Sequence, residues 1–481
     1  MAESARIDTL AVFQRHPFAK HLVERLDDAG HEAVLIGGVV RDGLLSQMGD
    51  DVPFPPEDVD IATSAVPNEV RRVFADCPIV GVGEEFGVLV VVAPDGRAYE
   101  VATFRVEQEY DGRWPSKVTL VRTLSEDVLR RDLTINGLAA RPDGTVIDLV
   151  NGIPDLHARK IRSIGDPEAR FAEDYLRMLR AVRFVCQIGG TLDRETERAI
   201  AGNAFRILDI SKERIGDELI RMLRTPRSAE GLLWMDRLGL LEAVLPELDA
   251  THGVPQPEEY HPEGDVFVHT VEALRVADGF VCDPIVKLAT VLHDIGKPAA
   301  LIRSGGVNMG GHCAIGSRMT KAVGQRLRLS RHQIARLVYL VKHHMRIADF
   351  PRMGRGKQVR FLSEGEVPDG TGLRGRFPLF FDLLQLLVAD CQASAHRASG
   401  WMPIFAETLR VAEHIDRVCD LARARQMIDG HVLIELGLRP GPDLGRILTA
   451  IHDRILSGEI VSRGDAVLEA QSMIEALGRG K

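Results

Sequence analysis

Residues 31–62, HEAVLIGGVVRDGLLSQMGDDVPFPPEDVDIA, hold the two signals on which the fold turns. The run HEAVLIGG predicts a short strand that ends in Gly37 and Gly38, after which VVRDGLL continues as a helix. Glycines at a strand-to-helix turn let backbone N–H groups approach a phosphate, and Arg41 adds a cation nearby. At the far end, Asp58 and Asp60 alternate along a second strand signal and so share a side. Two carboxylates on one face repel unless they are solvated or bridged by a cation, and Mg²⁺ prefers such oxygen ligands together with substrate phosphates. Taken singly, a Gly-Gly turn serves backbone geometry more often than phosphate binding, and a bare DxD reads first as a polar strand face.

Working outward, HLVERLDDAG predicts a helix that stops at Gly30, while FGVLVVVA, AYEVATFR and TVIDLV predict further strands broken by PDG turns. A third acid, Glu100, falls among apolar neighbours in AYEVATFR. Three carboxylates suffice for two metal ions, one activating an attacking hydroxyl and one stabilising a leaving pyrophosphate. From about Phe171 the pattern becomes helical, as EDYLRMLRAVRFVCQI and ERIGDELIRMLR place apolar residues three and four apart. Asp174 and Arg177 then lie three residues apart on one face of a helix beginning at EDYLR. Pro- and Gly-bearing stretches predict a junction near 250 (THGVPQPEEYHPEGD) and a long loop near 355 (PRMGRGKQ) continued by EGEVPDGTGLRGRF. The expected class is α+β, with a mixed-sheet head over 1–150, a helical neck over 151–250, a body over 251–400 and a helical tail over 401–481.

Composition narrows the options. With 45% hydrophobic and 27% charged residues among 481, the chain has the balance of a soluble, multi-unit globular protein, and no apolar run reaches a membrane span. The N-terminal stretch lacks the basic, apolar and small-residue succession of an export signal, so a cytoplasmic location is expected. The six cysteines form no CxxC pair, so neither a disulfide framework nor a cysteine-type zinc site is indicated. A net charge of −9 does not advertise a nucleic-acid binder. Basic residues do cluster locally, in Arg170, Arg177, Arg180 and Arg183 and again in Arg352, Arg355, Lys357 and Arg360. No feature sets an oligomeric state.

The blocks GGxxRD, DxD, ExxTFR, LRRDLTINGLAA and DLVNGIPDLHARKIRSIGDPEARFAEDYLRMLRAVRF follow one another from Ile36 to Phe184. In this order they resemble class II CCA-adding enzymes and the related bacterial poly(A) polymerases of the polymerase β-like nucleotidyltransferase superfamily. The resemblance implies that Asp58 and Asp60 are Mg²⁺ ligands with Glu100 as the third acid. It implies nucleotide contacts from Gly37, Gly38, Arg41, Arg131, Asp132 and Arg180, with Arg131 and Asp132 near the ribose. Asp174 and Arg177 would read the base. Their donors and acceptors match the N4 and N3 of cytosine or the N6 and N1 of adenine, whereas uracil and guanine set like against like. EYDGRWPSK, with Asp111 and Arg113, resembles the flexible loop of enzymes that add the terminal A. The stretch SQMGDDVPFPPE before the DxD is longer than the family pattern.

Farther on, VFVHTVEAL, VLHDIGKP, GHCAIGS, VKHHMR and LLVADCQAS supply imidazoles and carboxylates suited to a transition metal. The order H, HD, H, H, D resembles the HD phosphohydrolase superfamily. It implies a core site of His269, His293, Asp294 and Asp390 for a divalent transition metal or Mg²⁺, with His312 and one of His343 or His344 as accessory groups. The last stretch, from MIDGHVLIELGL to RGDAV, resembles the C-terminal helical segment of the CCA-adding class. The expected activity is transfer of C and A from CTP and ATP to a tRNA 3′ end. A poly(A) polymerase or A-adding enzyme, an HD phosphohydrolase with a regulatory head, and a non-catalytic RNA-binding protein are the rivals.

Overall fold

The apolar runs of the first 150 residues assemble into a seven-stranded mixed sheet in the computed structural model. It describes residues 5–81, 83–111, 114–257, 259, 264–280, 282–394, 398–418 and 421–479. The strands in chain order are β1 (Ala33–Ile36), β2 (Ile61–Thr63), β3 (Ile79–Val80), β4 (Val88–Val92), β5 (Ala98–Thr103), β6 (Arg105–Asp111), β7 (Trp114–Leu120), β8 (Leu138–Ala140) and β9 (Val146–Asp148). The sheet runs β3-β4-β5-β2-β1-β8-β9, and β6 pairs with β7 as a separate hairpin. Every pairing in the seven-stranded sheet is antiparallel except β2 with β5.

Burial explains which strands are central. All four residues of β1 are buried, as a strand covered on both faces must be. Helices Pro17–Asp28 and Gly38–Gln47 both pack on it. In β5, Tyr99, Val101 and Thr103 are buried while Ala98 and Glu100 are exposed, so one face meets the core and the other stays open. Val34, Ile36, Ala62, Phe104, Leu124, Val128 and Ala139 form one core cluster of the sheet and the helix after β7.

The chain divides into two compact units, Met1–Val244 and Leu245–Lys481. The helical part of the first is organised by Leu176–Ile188, whose apolar stripe packs against Lys212–Leu223 and Ser228–Arg237. Gly231 makes the second contact close: a Cβ there would fall 2.5 Å from Cys186 Sγ. The described residues of the second unit are helical, and five helices frame its candidate site: Val266–Asp278, Pro284–Leu292, His312–Arg326, Arg331–His343 and Pro378–Ala393.

Three expectations change. Strand β2 begins at Ile61, so Asp58 and Asp60 occupy its extended lead-in rather than the strand itself. The EDYLR stretch does not open one helix: Pro167–Glu173 ends there, Asp174 is extended at φ −157° and ψ 102°, and a new helix runs from Leu176. Near 355 the glycines mark a helix, Arg355–Leu362, and not a loop. Gly356 is needed for packing there, because a Cβ would lie 2.0 Å from the Asp453 carbonyl oxygen of helix Pro442–Leu456.

Candidate active site and candidate metal centre

Parallel pairing of β2 with β5 sets Ile61 opposite Val101, which brings Asp60, just before β2, and Glu100, just before Val101 in β5, to the same end of the pair. Asp58, Asp60 and Glu100 are exposed while Val59 and Val101 are buried, so the three carboxylates share the open side. Surrounding protein still removes enough water to raise the pKa of Asp60, which Asp58 raises further and Arg131 opposes. Glu100 is also raised, first by desolvation and then by Asp60 and Asp58. Repelling carboxylates that take up protons more readily form an arrangement that a divalent cation relieves, so these residues fit a cation site.

Gly37 sits at φ +76°, a conformation that favours glycine, and its N–H donates to the Leu138 carbonyl at the turn from β1 into helix Gly38–Gln47. Arg131 lies beside it, 3.6 Å from where a Gly37 Cβ would stand, and is steered by Asp127 at 3.1 Å. Arg41 is buried: it pairs with Asp42 at 2.8 Å and donates to Asn136 at 2.7 Å, with its guanidinium over Phe184. Burial would raise the pKa of Asp132, but Arg180 at 2.6 Å and the Asn136 side chain hold it well below the usual carboxylate range. Asp132 and Arg180 are therefore a charged pair inside this part of the first unit.

The two groups expected to read a base are each held by another partner. Arg214 grips Asp174 with both terminal nitrogens, at 3.1 and 2.6 Å. Arg177 is buried and pairs with Glu173 at 2.5 Å. The helix break at Asp174 turns its carboxylate to Arg214 and to the Leu176 N–H, at 3.1 Å. Of the loop residues, Asp111 belongs to strand β6 by its backbone, and Arg113 lies outside the described residues.

In the second unit, alanines let two helices approach. Ala273 and Ala277, four and eight residues after His269, meet Ala389 of helix Pro378–Ala393, and His269 Nε2 lies 3.0 Å from Asp390 Oδ1. Helix Pro284–Leu292 delivers His293 and Asp294 at its end, with His293 Nε2 3.1 Å from Asp294 Oδ2. His293, His312 and His344 each present Nδ1 to a backbone carbonyl three residues earlier, at 2.7, 3.0 and 2.7 Å. A carbonyl only accepts, so Nδ1 carries the proton and Nε2 is left as a lone pair. The Nε2 atoms of His312 and His344 face each other at 3.2 Å, and both approach Asp294 Oδ1, at 3.4 and 3.7 Å. Opposed lone pairs beside a buried carboxylate are the donor set of a cation site, with the backbone carbonyls fixing each ring. Burial brings the pKa of His344 down to about 4, which keeps that ring neutral at pH 7.

Asp294 thus joins two ligand groups, His269, His293 and Asp390 on one side and His312 and His344 on the other. His344 occupies the position that the sequence left open with His343, which packs instead against Tyr339 and Phe361. A cavity of about 450 Å³ opens onto His293, Asp294, His312, His344 and Asp390.

Sequence reasoning missed Arg214, Glu218, Phe184 and Lys297. Arg41, Arg180 and Arg183 gather over the Phe184 ring, Glu218 neutralises Arg183, and Lys297 Nζ lies 2.5 Å from Asp294. A buried acid among the apolar positions of ERIGDELIRMLR was the available signal for Glu218; Arg214 had none, since its partner is 40 residues away.

Residues 33–162 match the family of poly A polymerase head domains, and residues 190–251 the family described as the probable RNA and SrmB-binding site of polymerase A. A CCA-adding enzyme of Latilactobacillus sakei subsp. sakei is 31% identical over 450 residues, which is 93% of this chain and 96% of that one. The chain belongs to the CCA-adding enzyme family. A CCA-adding enzyme from Lacticaseibacillus paracasei is 46% identical over 203 residues, and that alignment spans about half of its relative, 48%. The structure of the Bacillus stearothermophilus CCA-adding enzyme in complex with CTP superposes with a TM-score of 0.67 and 26% identity, covering 98% of this chain and 99% of that one. The histidine and aspartate cluster around Asp294 lies outside both matched family segments.

Proposed function

We propose that the chain is a template-independent nucleotidyltransferase that adds C and A from CTP and ATP to the 3′ end of tRNA and releases pyrophosphate. The observation that carries this reading is the convergence of Asp58, Asp60 and Glu100 at the end of the β2–β5 pair, in a chain of the CCA-adding family. These carboxylates would hold Mg²⁺, which when bound activates the tRNA 3′-hydroxyl and stabilises the leaving pyrophosphate. Arg131, which lies beside Gly37 and whose charge acts on Asp60, supplies a cation for the triphosphate. Asp174 accepts from the amino group of C or A, and Arg177 donates to N3 or N1, so U and G leave polar groups unpaired. No described helix is long and apolar enough to cross a membrane, and a tRNA substrate puts the reaction in the cytoplasm.

The test supplies tRNA ending before CCA, after C and after CC with each labelled triphosphate and Mg²⁺, then sizes products at one-nucleotide resolution. Stepwise C, C and A addition that stops is expected, as is its loss on chelation. Addition of A to the CC end alone, or a long A ladder, would replace this reading with an A-adding enzyme or a poly(A) polymerase.

The facing Nε2 lone pairs around Asp294 favour a second activity in the other unit. His269, His293, Asp294 and Asp390 would hold one divalent cation, and His312 with His344 a second that shares Asp294. Such a pair supplies a nucleophilic hydroxide for phosphoester hydrolysis. Titration calorimetry with Mn²⁺ and Ni²⁺ should show binding that the His344→Ala variant weakens and the His343→Ala variant keeps. Equal binding by all three proteins excludes the site.

A further inference from the structure

Helix Lys212–Leu223 runs out through Arg221, Arg224, Thr225, Pro226 and Arg227, where the apolar positions Met222 and Leu223 are buried and all three arginines are exposed. They line a cavity of about 420 Å³ that is also lined by Asp50, Asp51, Val52 and Pro53, part of the long stretch before the DxD. Most other charges on this cavity are already matched. Arg159 pairs with Asp50 at 2.6 Å, Arg183 with Glu218, and Asp42 with Arg41. Arg227 reaches a carbonyl, that of Cys186, at 3.5 Å, and lies across Gly189, where a Cβ would stand 2.8 Å from its guanidinium carbon. Among the described residues, Arg221 and Arg224 have no ion-pair partner, which leaves Asp51 as the one unmatched carboxylate on the cavity. A helix C-terminus carries only about half a negative charge, so it does not neutralise three cations.

The basic clusters visible in the sequence are different. Arg170 and Arg177 pair with Glu173, Arg180 with Asp132, Arg355 with Glu407 and Arg360 with Asp453. In a chain of net charge −9, a polyanion is drawn only to a local surplus. That surplus falls within residues 190–251, the segment that matches the RNA-binding family. We propose that Arg221, Arg224 and Arg227 form a phosphate-binding site for the RNA backbone, separate from the carboxylates at which nucleotide is transferred. Guanidinium groups suit phosphate oxygens because two parallel N–H donors match two acceptors. Asp51 offsets part of the site's charge.

This inference rests on the tRNA reading above, and its test keeps the two apart. The full-length protein and the variants R221A, R224A, R227A, their triple combination and the triple lysine variant would be titrated with tRNA at several salt concentrations. C addition would be followed at saturating tRNA. Each alanine should weaken tRNA binding several-fold and reduce the salt dependence of log Kd by about 0.7–0.9 per lost phosphate contact, as counterion release requires. Turnover at saturating tRNA should stay within about twofold, because the reacting groups are untouched. The triple lysine variant should recover the salt dependence and not the full affinity, which separates lost charge from lost folding. A triple alanine variant with wild-type affinity and salt dependence overturns the site even where C addition is normal. Absence of both tRNA binding and C addition in the unaltered protein overturns the tRNA reading itself. In a separate arm, inorganic phosphate that binds the unaltered protein and not the triple alanine variant, with tRNA affinity unchanged, would assign the cavity to a small anion and overturn the RNA assignment.

Discussion

At Asp60, desolvation and the neighbouring Asp58 both favour the protonated acid, and Arg131 opposes them. A bound cation reverses that balance, so Asp60→Asn removes charge with little change of shape. Turnover should fall on the order of 10²–10³-fold while tRNA affinity changes by less than about twofold, measured by single-turnover C addition and by binding. Parallel losses in both would point to a damaged fold instead of a damaged site. Arg214 makes a different prediction. It holds both oxygens of Asp174, so Arg214→Ala frees the acceptor that distinguishes C and A from U and G. Discrimination against UTP, read as the ratio of kcat/KM for CTP to that for UTP, should drop about tenfold. Lysine at 214 cannot form the bidentate pair and should restore only part of the ratio. An unchanged ratio in Arg214→Ala would assign Arg214 to packing alone.

Among elements, helix Pro67–Val73 shows how a short segment is fixed at both ends of a bond network. Glu69 accepts from the Val66 N–H at 2.8 Å at the helix start and from Arg122 at 2.7 Å, while Arg122 also donates to the Ser64 carbonyl. The Arg122 hydrogen bonds, followed by the backbone bond from Val66, bring the pKa of Glu69 down to about 2. A folded-state value below the unfolded one, about 4.3, means that Glu69 stabilises the fold above that pH. The contribution is lost as pH falls toward about 2. Glu69→Gln should therefore lower Tm at pH 7, and the difference from the unaltered protein should shrink between pH 4 and pH 2. A difference that does not vary with pH in thermal scans would show that the carboxylate charge is not what the helix uses.

The two units of the whole molecule carry separate candidate sites, Asp58, Asp60 and Glu100 in Met1–Val244 and the Asp294 cluster in Leu245–Lys481. Asp294 is buried, and its charge is matched in this structure by Lys297. Asp294→Asn should abolish Mn²⁺ binding at that cluster and leave C and A addition within about twofold of the unaltered protein. Metal content after dialysis and the product ladder measure the two effects independently. Loss of nucleotide addition along with metal would mean that the second unit takes part in the transfer reaction.

Adjacent residues and regular periods were legible in the sequence: the strand into Gly37 and Gly38, the helix that follows it, and the alternation around Val59. Local sterics and the two- and 3.6-residue periods fix such features without help from distant residues. The nucleotidyltransferase blocks followed from their order, and membership in the CCA-adding family agrees with them. Choices among equivalent local options required the fold. The His343–His344 pair is symmetrical in sequence, and only the packing of Tyr339 and Phe361 against one ring leaves the other facing Asp294. The glycines near 355 read as a loop until helix Pro442–Leu456 supplied the backbone that Gly356 must clear. Asp174 and Arg177 read as one face of a single helix, but a break at Asp174 ends that helix and sends each to a different charge. Short-range geometry is written in the chain; which charges meet across long separations is decided when burial forces each to find a partner.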